Sequence, residues 1–395
     1  QERMFVLREL GMAGTEYNVS GGCELPTWVR ADELETALRG LIGRHEALRT
    51  RLALRDGQVC QEVLDQVDFG LEDLGTAPRA GLAELARGWV RPFDLGTAPL
   101  MRAGLARLDD GGRVLLLDLH HAVSDGMSLG ILVGELAESM RGREPARPRL
   151  RYRDWSVWQR ELWDSSADRE YWLGTFADGA PSLELWTDRP RGPNRDYRGG
   201  RLELRLGADE TRRLEENARS RGATLSMAVL AGYYLWLWAE SGQRDLVIGT
   251  PVSGRERPET ADVVGLFVNT LALRFQVDSG DALGRMLERL RDKLVSAWEH
   301  GQYPLERVIE EAGVARDAGR NPLFDALYVW QEKSWTDLGR LGEGFAAYGW
   351  ESGLEKFDLS VEACLDGDGV SLRLGYASAL WDEASARRML DRYRK

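Results

Sequence analysis

Residues 114–128 read Val-Leu-Leu-Leu-Asp-Leu-His-His-Ala-Val-Ser-Asp-Gly-Met-Ser, which is the most informative pattern in the chain. The short, branched apolar run at 114–119 predicts a buried strand. Apolar residues then recur at helical spacing, which predicts a helix beginning between Gly126 and Ser128. Two adjacent histidines therefore stand where a strand ends. Because successive strand side chains point to opposite faces, one imidazole can face a cavity and the other must be buried or hold the loop.

The composition limits the classes of protein to which this chain can belong. The 395 residues exceed the usual size of a single core, and 43% hydrophobic with 29% charged residues indicates a globular chain of two lobes. A formal charge of −12 argues against a nucleic-acid partner, and no apolar run is long enough to span a membrane. Three widely spaced cysteines (Cys23, Cys60 and Cys364) fit reduced thiols, so we expect a cytoplasmic protein without disulfides or a zinc framework.

The motif His-His-x-x-x-Asp-Gly at 120–126 resembles the signature of condensation domains of nonribosomal peptide synthetases, members of the chloramphenicol acetyltransferase-like acyltransferase superfamily. One departure is Met127, which stands where the family most often has Trp. Further blocks similar to the family's motifs occur in the family's order at 1–5, 44–52, 152–159, 246–255 with 265–274, 300–306 and 316–324. The resemblance thus covers almost the whole chain.

The resemblance implies an α/β (α+β) fold of two acetyltransferase-like lobes, each a mixed sheet flanked by helices, in a V-shaped pseudo-dimer with a central tunnel. We expect an N-terminal lobe at 1–150 that carries the motif. Residues 151–395 would form the C-terminal lobe, with segments that bridge and cover the cleft. Residues 141–151, with two prolines among arginines, are the best candidate linker. The residues themselves also predict a hairpin of 101–108 with 114–120 and a strand at 265–274. Thr224 is the expected N-cap of a buried helix that is apolar nearly all round. The first residues resemble the interior of the family's first motif and the last helix is short, so we expect a longer natural chain.

The family reaction implies that an acceptor amine attacks a donor acyl or peptidyl thioester. Both substrates would arrive on phosphopantetheine arms of peptidyl carrier proteins, upstream for the donor and downstream for the acceptor, with adenylation domains as neighbours. The domain itself would bind no cofactor. The resemblance assigns the proton-accepting role to His121, worth about 10²–10⁴-fold in rate. Gly126 lacks a side chain where the helix begins, so its amide could approach the developing oxyanion closely; the alternative is an ordinary turn glycine. A weaker role for His121 is only to position the amine.

The remaining candidate residues would support or line the site. His120 would point away from the cavity and stabilise the turn. Asp125 would be buried and paired with an arginine, for which Arg49 and Arg255 are the candidates, because a buried carboxylate needs a cationic partner. Three residues are expected to line the substrate tunnel: Ser124, Met127 and Asn321.

Several alternatives are weighed beside this one. A Ser-His-Asp triad with Ser124 or Ser128 as nucleophile is disfavoured because no nucleophile elbow is present. A metal site at His120, His121 and Asp125 is disfavoured because adjacent strand residues diverge. An epimerisation domain shares the double-histidine motif, and a degenerate domain of this fold would only recruit a partner. A freestanding enzyme forming an ester or amide with a small-molecule acceptor is a further alternative.

Overall fold

The computed structural model describes residues 1–9, 14–314, 317–331 and 344–395, so Arg316 at the start of the 316–324 block lies outside them. The helices of the described residues are α1 Glu2–Glu9, α2 Ala31–Arg44, α3 Leu82–Trp89, α4 Gly126–Met140, α5 Tyr152–Leu162, α6 Ser166–Thr175, α7 Ala208–Ser220, α8 Leu225–Ser241, α9 Leu283–Glu299, α10 Leu305–Glu311 and α11 Glu383–Arg394. The strands are β1 Asn18–Leu25, β2 Thr50–Arg55, β3 Gln58–Val63, β4 Leu71–Ala77, β5 Met101–Leu108, β6 Arg113–His120, β7 Gly199–Leu206, β8 Asp245–Val252, β9 Asn269–Gln276, β10 Ala326–Gln331, β11 Ala346–Tyr348, β12 Leu359–Asp366 and β13 Gly369–Ala377.

The chain divides into two compact units. The first unit contains Gln1–Trp158, Arg255–Val268 and the described residues 344–352. The second contains Gln159–Gly254, Gly353–Lys395 and the described residues between 269 and 331. A boundary after residue 150 treats the chain as two continuous halves, whereas the contacts assign two later segments to the first unit.

The first unit is built on a five-stranded mixed sheet in the order β11-β1-β6-β5-β4. Strand β6 lies at the centre and pairs antiparallel with both β1 and β5, while β4 and β5 are parallel. The hairpin predicted for 101–108 and 114–120 is therefore confirmed, with Leu105 opposite Leu115. Strands β2 and β3 form a separate two-stranded hairpin.

Strand β6 is buried on both faces. Leu115, Leu117 and Leu119 belong to the core that also contains buried residues of α2 and α4. Val114 and Leu116, on the opposite face, pack in a smaller core with α3. A continuous apolar run is what a strand covered on both faces requires. The histidine pair at its end is thereby placed by a rigid element.

The second unit is built on a six-stranded mixed sheet in the order β7-β13-β12-β10-β8-β9, in which β10 is parallel to β8 and β12. Helix α8 is apolar nearly all round and largely buried, and the predicted N-cap is confirmed, since the Thr224 hydroxyl accepts a bond from the amide of Met227 (3.3 Å). The helix ends at Gly242, whose φ of 71° suits glycine. The expected class, mixed sheets flanked by helices, is confirmed.

The strand predicted to begin at Gly265 begins at Asn269 instead. The reason is that two amides of 265–268 bond to side chains of the motif loop rather than to a neighbouring strand. Gly265 N donates to Ser128 Oγ (3.1 Å) and Phe267 N donates to Asp125 Oδ2 (3.2 Å). Residues 265–268 accordingly belong to the first unit.

Across the part of the chain that the structure describes, no single helix is long and apolar enough to cross a membrane. Helices α7 and α8 meet that standard only when taken together, and they are bent by 100° at the break between them.

Candidate functional site

The candidate site lies where β6 runs through a tight turn into α4. The backbone amide of His121 donates to Tyr17 O (2.8 Å), which continues the pairing of β6 with its neighbour for one more residue. The amide of Val123 then donates to His120 O (3.0 Å), which closes the turn. Helix α4 begins at Gly126, as predicted from the apolar spacing, with Asp125 as its N-cap. The loop is thus held at one end by the backbone bond to Tyr17 and at the other by the N-cap of α4.

His120 faces the protein interior. It is 4% exposed, and its Nδ1 accepts a hydrogen bond from the amide of Ala122 (3.1 Å). The edge of its ring also meets Phe93, with ring centroids 6.0 Å apart at 77°. Because Nδ1 is an acceptor, the proton of the neutral imidazole lies on Nε2. The bond to Ala122 stiffens the turn, so the position of His120 suits the stabilising role expected for it.

His121 is half-buried, and its hydrogen bond sets its tautomer. Its Nδ1 lies 2.8 Å from Ser124 O. A carbonyl oxygen can only accept, so Nδ1 carries the proton and Nε2 carries the lone pair of the neutral ring. The ring is also held in orientation by a backbone atom of its own loop. An imidazole fixed in this way can accept a proton at Nε2, which is the chemistry that a general base needs.

Asp125 is the centre of a buried hydrogen-bond network. Its carboxylate accepts bonds from Ser128 N (2.8 Å), Ser128 Oγ (2.7 Å) and Phe267 N (3.2 Å). Arg255 Nη2 donates to both carboxylate oxygens, at 3.0 and 3.1 Å. The side chains of Asp125 and Arg255 are 5% and 3% exposed. The expected buried ion pair is present, and its arginine is Arg255.

Arg255 connects the motif loop to the segment 255–268. Its Nη1 donates to the carbonyls of Thr260 (2.6 Å) and Val263 (2.7 Å), while its guanidinium carbon lies 3.9 Å from the centre of the Phe267 ring. These contacts fold the segment around the arginine. Removal of Arg255 would therefore disturb the segment as well as leave Asp125 unpaired.

Ser128 and Tyr152 complete the same network. Ser128 Oγ lies 2.7 Å from Asp125 Oδ1 and 2.9 Å from Gly265 O, and it accepts from Gly265 N. The Tyr152 hydroxyl donates to Leu266 O (2.8 Å). Burial raises the pKa of Tyr152, and the charge of Asp125 raises it further, so the phenol remains a neutral donor. Sequence reasoning did not assign this holding role to Ser128, although its place two residues after the first residue of α4 is the usual donor to an N-cap.

Asp118 is a second buried acid that the sequence reasoning left unassigned. It lies opposite Ser20 and Arg102 in the sheet register. It accepts from Ser20 Oγ (2.8 Å), Asn18 Nδ2 (3.0 Å) and Arg102 Nη1 (3.0 Å). Burial raises the pKa of Asp118, and these donors oppose the rise. Asp118 lies two residues before His120 on the same face of β6.

Two of the expected site residues have other roles. Arg49 does not pair with Asp125; its guanidinium donates to the carbonyls of Ile42 (3.1 Å) and Leu64. It follows α2 in a short 3₁₀ turn, where those carbonyls lie within its reach. Ser124 is 0% exposed and its hydroxyl donates to His120 O (3.1 Å), so it holds the turn and does not line a tunnel.

The other expected residues lie as follows. Met127 is 50% exposed in the first turn of α4. A Cβ added at Gly126 would meet no protein atom within 4 Å, and its φ is outside the left-handed region. Asn321 belongs to the second unit, where its Nδ2 donates to Lys356 O (3.0 Å) and its amide to Asp325 Oδ1 (3.0 Å). The roles of Met127, Gly126 and Asn321 toward a substrate stay predictions.

The two disfavoured alternatives find no support in this geometry. The serine hydroxyls of the loop donate to oxygen acceptors: Ser124 to a carbonyl, and Ser128 to Asp125 or Gly265. Within the described residues, no group of three or more His, Cys, Asp or Glu side chains is arranged to hold a metal ion.

Comparison with known proteins bears on the whole chain. A family model described as Condensation domain matches residues 1–395. The chain is 36% identical over 403 residues to surfactin synthase subunit 1 of Bacillus subtilis (strain 168), covering 100% of this chain and 11% of the relative. It is 36% identical over 396 residues to tyrocidine synthase 3 of Brevibacillus parabrevis, covering 100% of this chain and 6% of the relative. The chain thus spans a small part of the curated relatives it matches.

Solved structures show the same fold. The X-domain from teicoplanin biosynthesis aligns with a TM-score of 0.86 at 24% identity, covering 99% of this chain and 92% of that one. The condensation domain from the Monacolin K polyketide synthase aligns with a TM-score of 0.86 at 22% identity, covering 99% and 94%. These likenesses are at the level of fold, whereas the family match rests on the sequence over its full length. On that match, the chain belongs to the condensation domain family.

Proposed function

We propose that this chain catalyses amide bond formation between a carrier-bound acyl or peptidyl thioester and the amine of a carrier-bound aminoacyl thioester in nonribosomal peptide biosynthesis. The observation that carries the proposal is the geometry of His121. Its Nδ1–H donates to Ser124 O, so its Nε2 is the basic nitrogen, and the loop that bears it is held by the buried Asp125–Arg255 pair. These features are what a fixed general base in an acyl transfer requires.

The proposed step balances as follows. The neutral acceptor amine attacks the thioester carbonyl, and the carbonyl π electrons move to oxygen. His121 Nε2 accepts the proton that the nitrogen loses. The adduct collapses with cleavage of the carbon–sulfur bond, and the thiolate takes a proton from the imidazolium. The products are an amide on the acceptor carrier and a free thiol on the donor carrier.

Gly126 is proposed to lie beside the oxyanion of the adduct. A side chain at this position would meet no protein atom, and the backbone conformation does not demand glycine. The absence of an internal reason for glycine supports a role toward the substrate. Gly126 is also the first residue of α4, where backbone amides are not used within the helix and point toward negative charge.

The chain is proposed to work with partners that its longer relatives suggest. Those relatives are synthases of which this chain corresponds to a small part. A donor carrier, an acceptor carrier and neighbouring adenylation domains are the partners that such an arrangement would supply. The domain would bind no cofactor of its own. We also propose a cytoplasmic location, which the small number and wide spacing of the cysteines in the sequence support.

One experiment separates condensation from the other activities of this motif. A single aminoacyl-carrier thioester is incubated with the protein in deuterated water, and α-proton exchange is followed by mass spectrometry. A second reaction adds a loaded acceptor carrier, and transfer of the acyl group is followed in the same way. We expect transfer only when both carriers are present. Exchange without transfer would indicate an epimerase and contradict the proposal.

Recruitment without catalysis is the alternative that the fold itself leaves open. One of the similar structures is an X-domain solved in a complex with OxyB, so proteins of this fold include one seen bound to another protein. Neither exchange nor transfer in the two reactions, with both carriers shown to be loaded, would favour recruitment. A small-molecule amine or alcohol replacing the acceptor carrier with equal efficiency would favour a freestanding enzyme.

A further inference from the structure

One segment of the first unit concentrates positive charge. Residues 141–153, which we call the arginine segment, contain six arginines and one glutamate, a formal charge of +5 within a chain whose net charge is −12. The segment follows α4 and ends in the first turn of α5. Its charge is therefore opposite to that of the rest of the protein.

The arginines at the middle of the segment are exposed and lack an ion pair. Arg143 lies 2.5 Å from Glu138, and Arg153 lies 3.4 Å from Glu46. Arg147, Arg149 and Arg151 are all exposed, and none forms an ion pair with a carboxylate among the residues that the structure describes. Among the described residues, three exposed guanidinium groups therefore have no ion-pair partner.

The three arginines lie on an irregular part of the backbone. Pro145 and Pro148 disfavour helix, and residues 143–149 form neither helix nor strand. The chain bends at residues 149 and 150, and the next residue after the three arginines, Tyr152, is buried at the start of α5. The arginines are therefore presented from an exposed loop between two helices.

The segment also forms one wall of a half-open cavity of about 890 Å³. The other walls come from α4 and from residues Pro258, Glu259 and Asp262. The lining is mixed: Ile131, Pro145 and Pro148 are apolar, while five side chains carry negative charge, namely Glu135, Glu138, Glu144, Glu259 and Asp262. The surface therefore combines a cationic edge with an adjoining groove that has apolar and acidic walls.

We propose that the arginine segment binds an acidic peptide segment of a protein partner. The carboxylates of such a peptide complement the exposed charges of Arg147, Arg149 and Arg151, and a guanidinium can hold a carboxylate with two parallel hydrogen bonds. The peptide's uncharged backbone and side-chain stems can lie against the apolar part of the groove. The inference concerns a surface separate from His121 and holds whether or not the proposed condensation takes place.

The acidic walls favour a peptide over a nucleic acid. Duplex DNA carries one negative charge per about 1.7 Å of axis. Such a ligand would bring many charges against Glu138, Glu144 and Glu259, which border the arginines. An acidic peptide carries at most one charge per residue of about 3.3 Å, so it brings fewer charges against these acids.

The test is binding of a fluorescein-labelled octaglutamate peptide, followed by fluorescence anisotropy at low salt. The variant Arg147→Gln/Arg149→Gln/Arg151→Gln removes the three charges. The matched control, Arg39→Gln/Arg212→Gln/Arg219→Gln, removes three exposed charges elsewhere, at side chains that are 51%, 62% and 77% exposed. We expect the first variant to weaken binding about tenfold and the control less than twofold, and added salt to weaken binding to the wild type.

Labelled duplex DNA and phosphatidylserine vesicles are the competing probes. Tighter binding of either probe than of the peptide, lost in the same triple variant, would overturn the proposal in favour of phosphate recognition. Equal loss of peptide binding in both triple variants would mean that binding depends only on net charge, and this would contradict the proposal. No binding of the peptide to the wild type would also reject the proposal. Thermal melts of both variants check folding. The single reversal Arg149→Glu, expected to weaken peptide binding severalfold, repeats the test with one change.

Discussion

The buried pair of Asp125 and Arg255 provides the sharpest test of how the motif loop is held. We consider Asp125→Asn, Arg255→Gln and the double variant. Asp125→Asn keeps a side-chain oxygen that can accept from Ser128 N, but it removes the charge that faces Arg255. Arg255→Gln removes the cation and also the donor to the carbonyls of Thr260 and Val263. Each single variant leaves one charged group buried without its partner.

The expected magnitude follows from the burial of the pair. The two side chains are only 5% and 3% exposed, so solvent cannot compensate for a missing partner. Breaking a buried ion pair by removing one partner costs about 3–5 kcal/mol. When both are replaced by neutral amides, no unpaired charge remains, and we expect the double variant to be destabilised by roughly 0.5–3 kcal/mol less than the sum of the single effects.

The assay combines urea unfolding with hydrogen–deuterium exchange. A chain of two units need not unfold in one step, so exchange localises the effect. Peptides covering 121–130 and 255–268 should lose protection in both single variants, because Ser128 N, Gly265 N and Phe267 N all bond to this network. Peptides from β12 and β13 in the second unit should keep their protection. Arg30→Gln, at a 68% exposed side chain, is the control and should leave unfolding unchanged.

Two results would refute this reasoning. Single effects that add fully in the double variant would mean that the two groups do not interact energetically. Unchanged stability and unchanged exchange in Asp125→Asn, together with a large loss of condensation activity, would instead mean that Asp125 acts on the substrate and is not a residue that holds the loop.

Further predictions concern individual side chains of the site. His121→Ala should lower kcat about 10²–10⁴-fold with an unchanged melt, whereas His120→Ala should cost roughly 2–4 kcal/mol of stability by emptying a buried position; the opposite pattern would reverse the assignment. Gly126→Ala should raise the stability of α4 by up to about 1 kcal/mol, because alanine favours helix and the added Cβ meets nothing, and should still lower kcat; full activity would remove Gly126 from the site. Since burial raises the pKa of Asp118, the folded state holds that proton more tightly than the unfolded state, whose pKa is about 3.9. Wild type should therefore lose stability relative to Asp118→Asn as the pH rises from about 4 through the raised pKa, and urea melts at a series of pH values that show the reverse slope would contradict it.

The sequence predicted those parts of the fold that local patterns determine. The β5–β6 hairpin, the start of α4 at Gly126 and the cap of α8 at Thr224 all follow from apolar periodicity and capping chemistry, which act over a few residues. The strand start at Gly265 was wrong because the amide of Gly265 is taken by the Ser128 side chain, 137 residues away in the chain. Nothing in the local pattern of that segment indicates such partners.

The sequence could predict which residues lie at the site, but not which of them form ion pairs with one another. The motif indicated that Asp125 needs a cation, and both Arg49 and Arg255 were compatible with that need. Only the tertiary structure distinguishes them, since Arg49 reaches carbonyls near its own turn whereas Arg255 reaches Asp125 across 130 positions of sequence. Asp118 carried a usable signal, because a lone acid inside an apolar strand must find buried donors.

The two adjacent histidines illustrate how structure assigns chemistry that the sequence leaves open. Strand alternation says only that their side chains diverge. The hydrogen bonds add that the rings have opposite tautomers: Nδ1 of His120 accepts from Ala122 N, while Nδ1 of His121 donates to Ser124 O. In the neutral state, the far nitrogen Nε2 therefore bears a proton in His120 and a lone pair in His121. A base must present a lone pair at the end of the ring that extends from the loop, and of the two histidines His121 meets that requirement.

Ser124 both fixes the turn and sets the tautomer of His121. Its amide donates to His121 O (3.4 Å), its hydroxyl donates to His120 O, and its carbonyl accepts from His121 Nδ1. The orientation of the proposed base is thus built into the backbone of the motif loop, and we propose that the Asp125–Arg255 pair affects catalysis through the position of that loop.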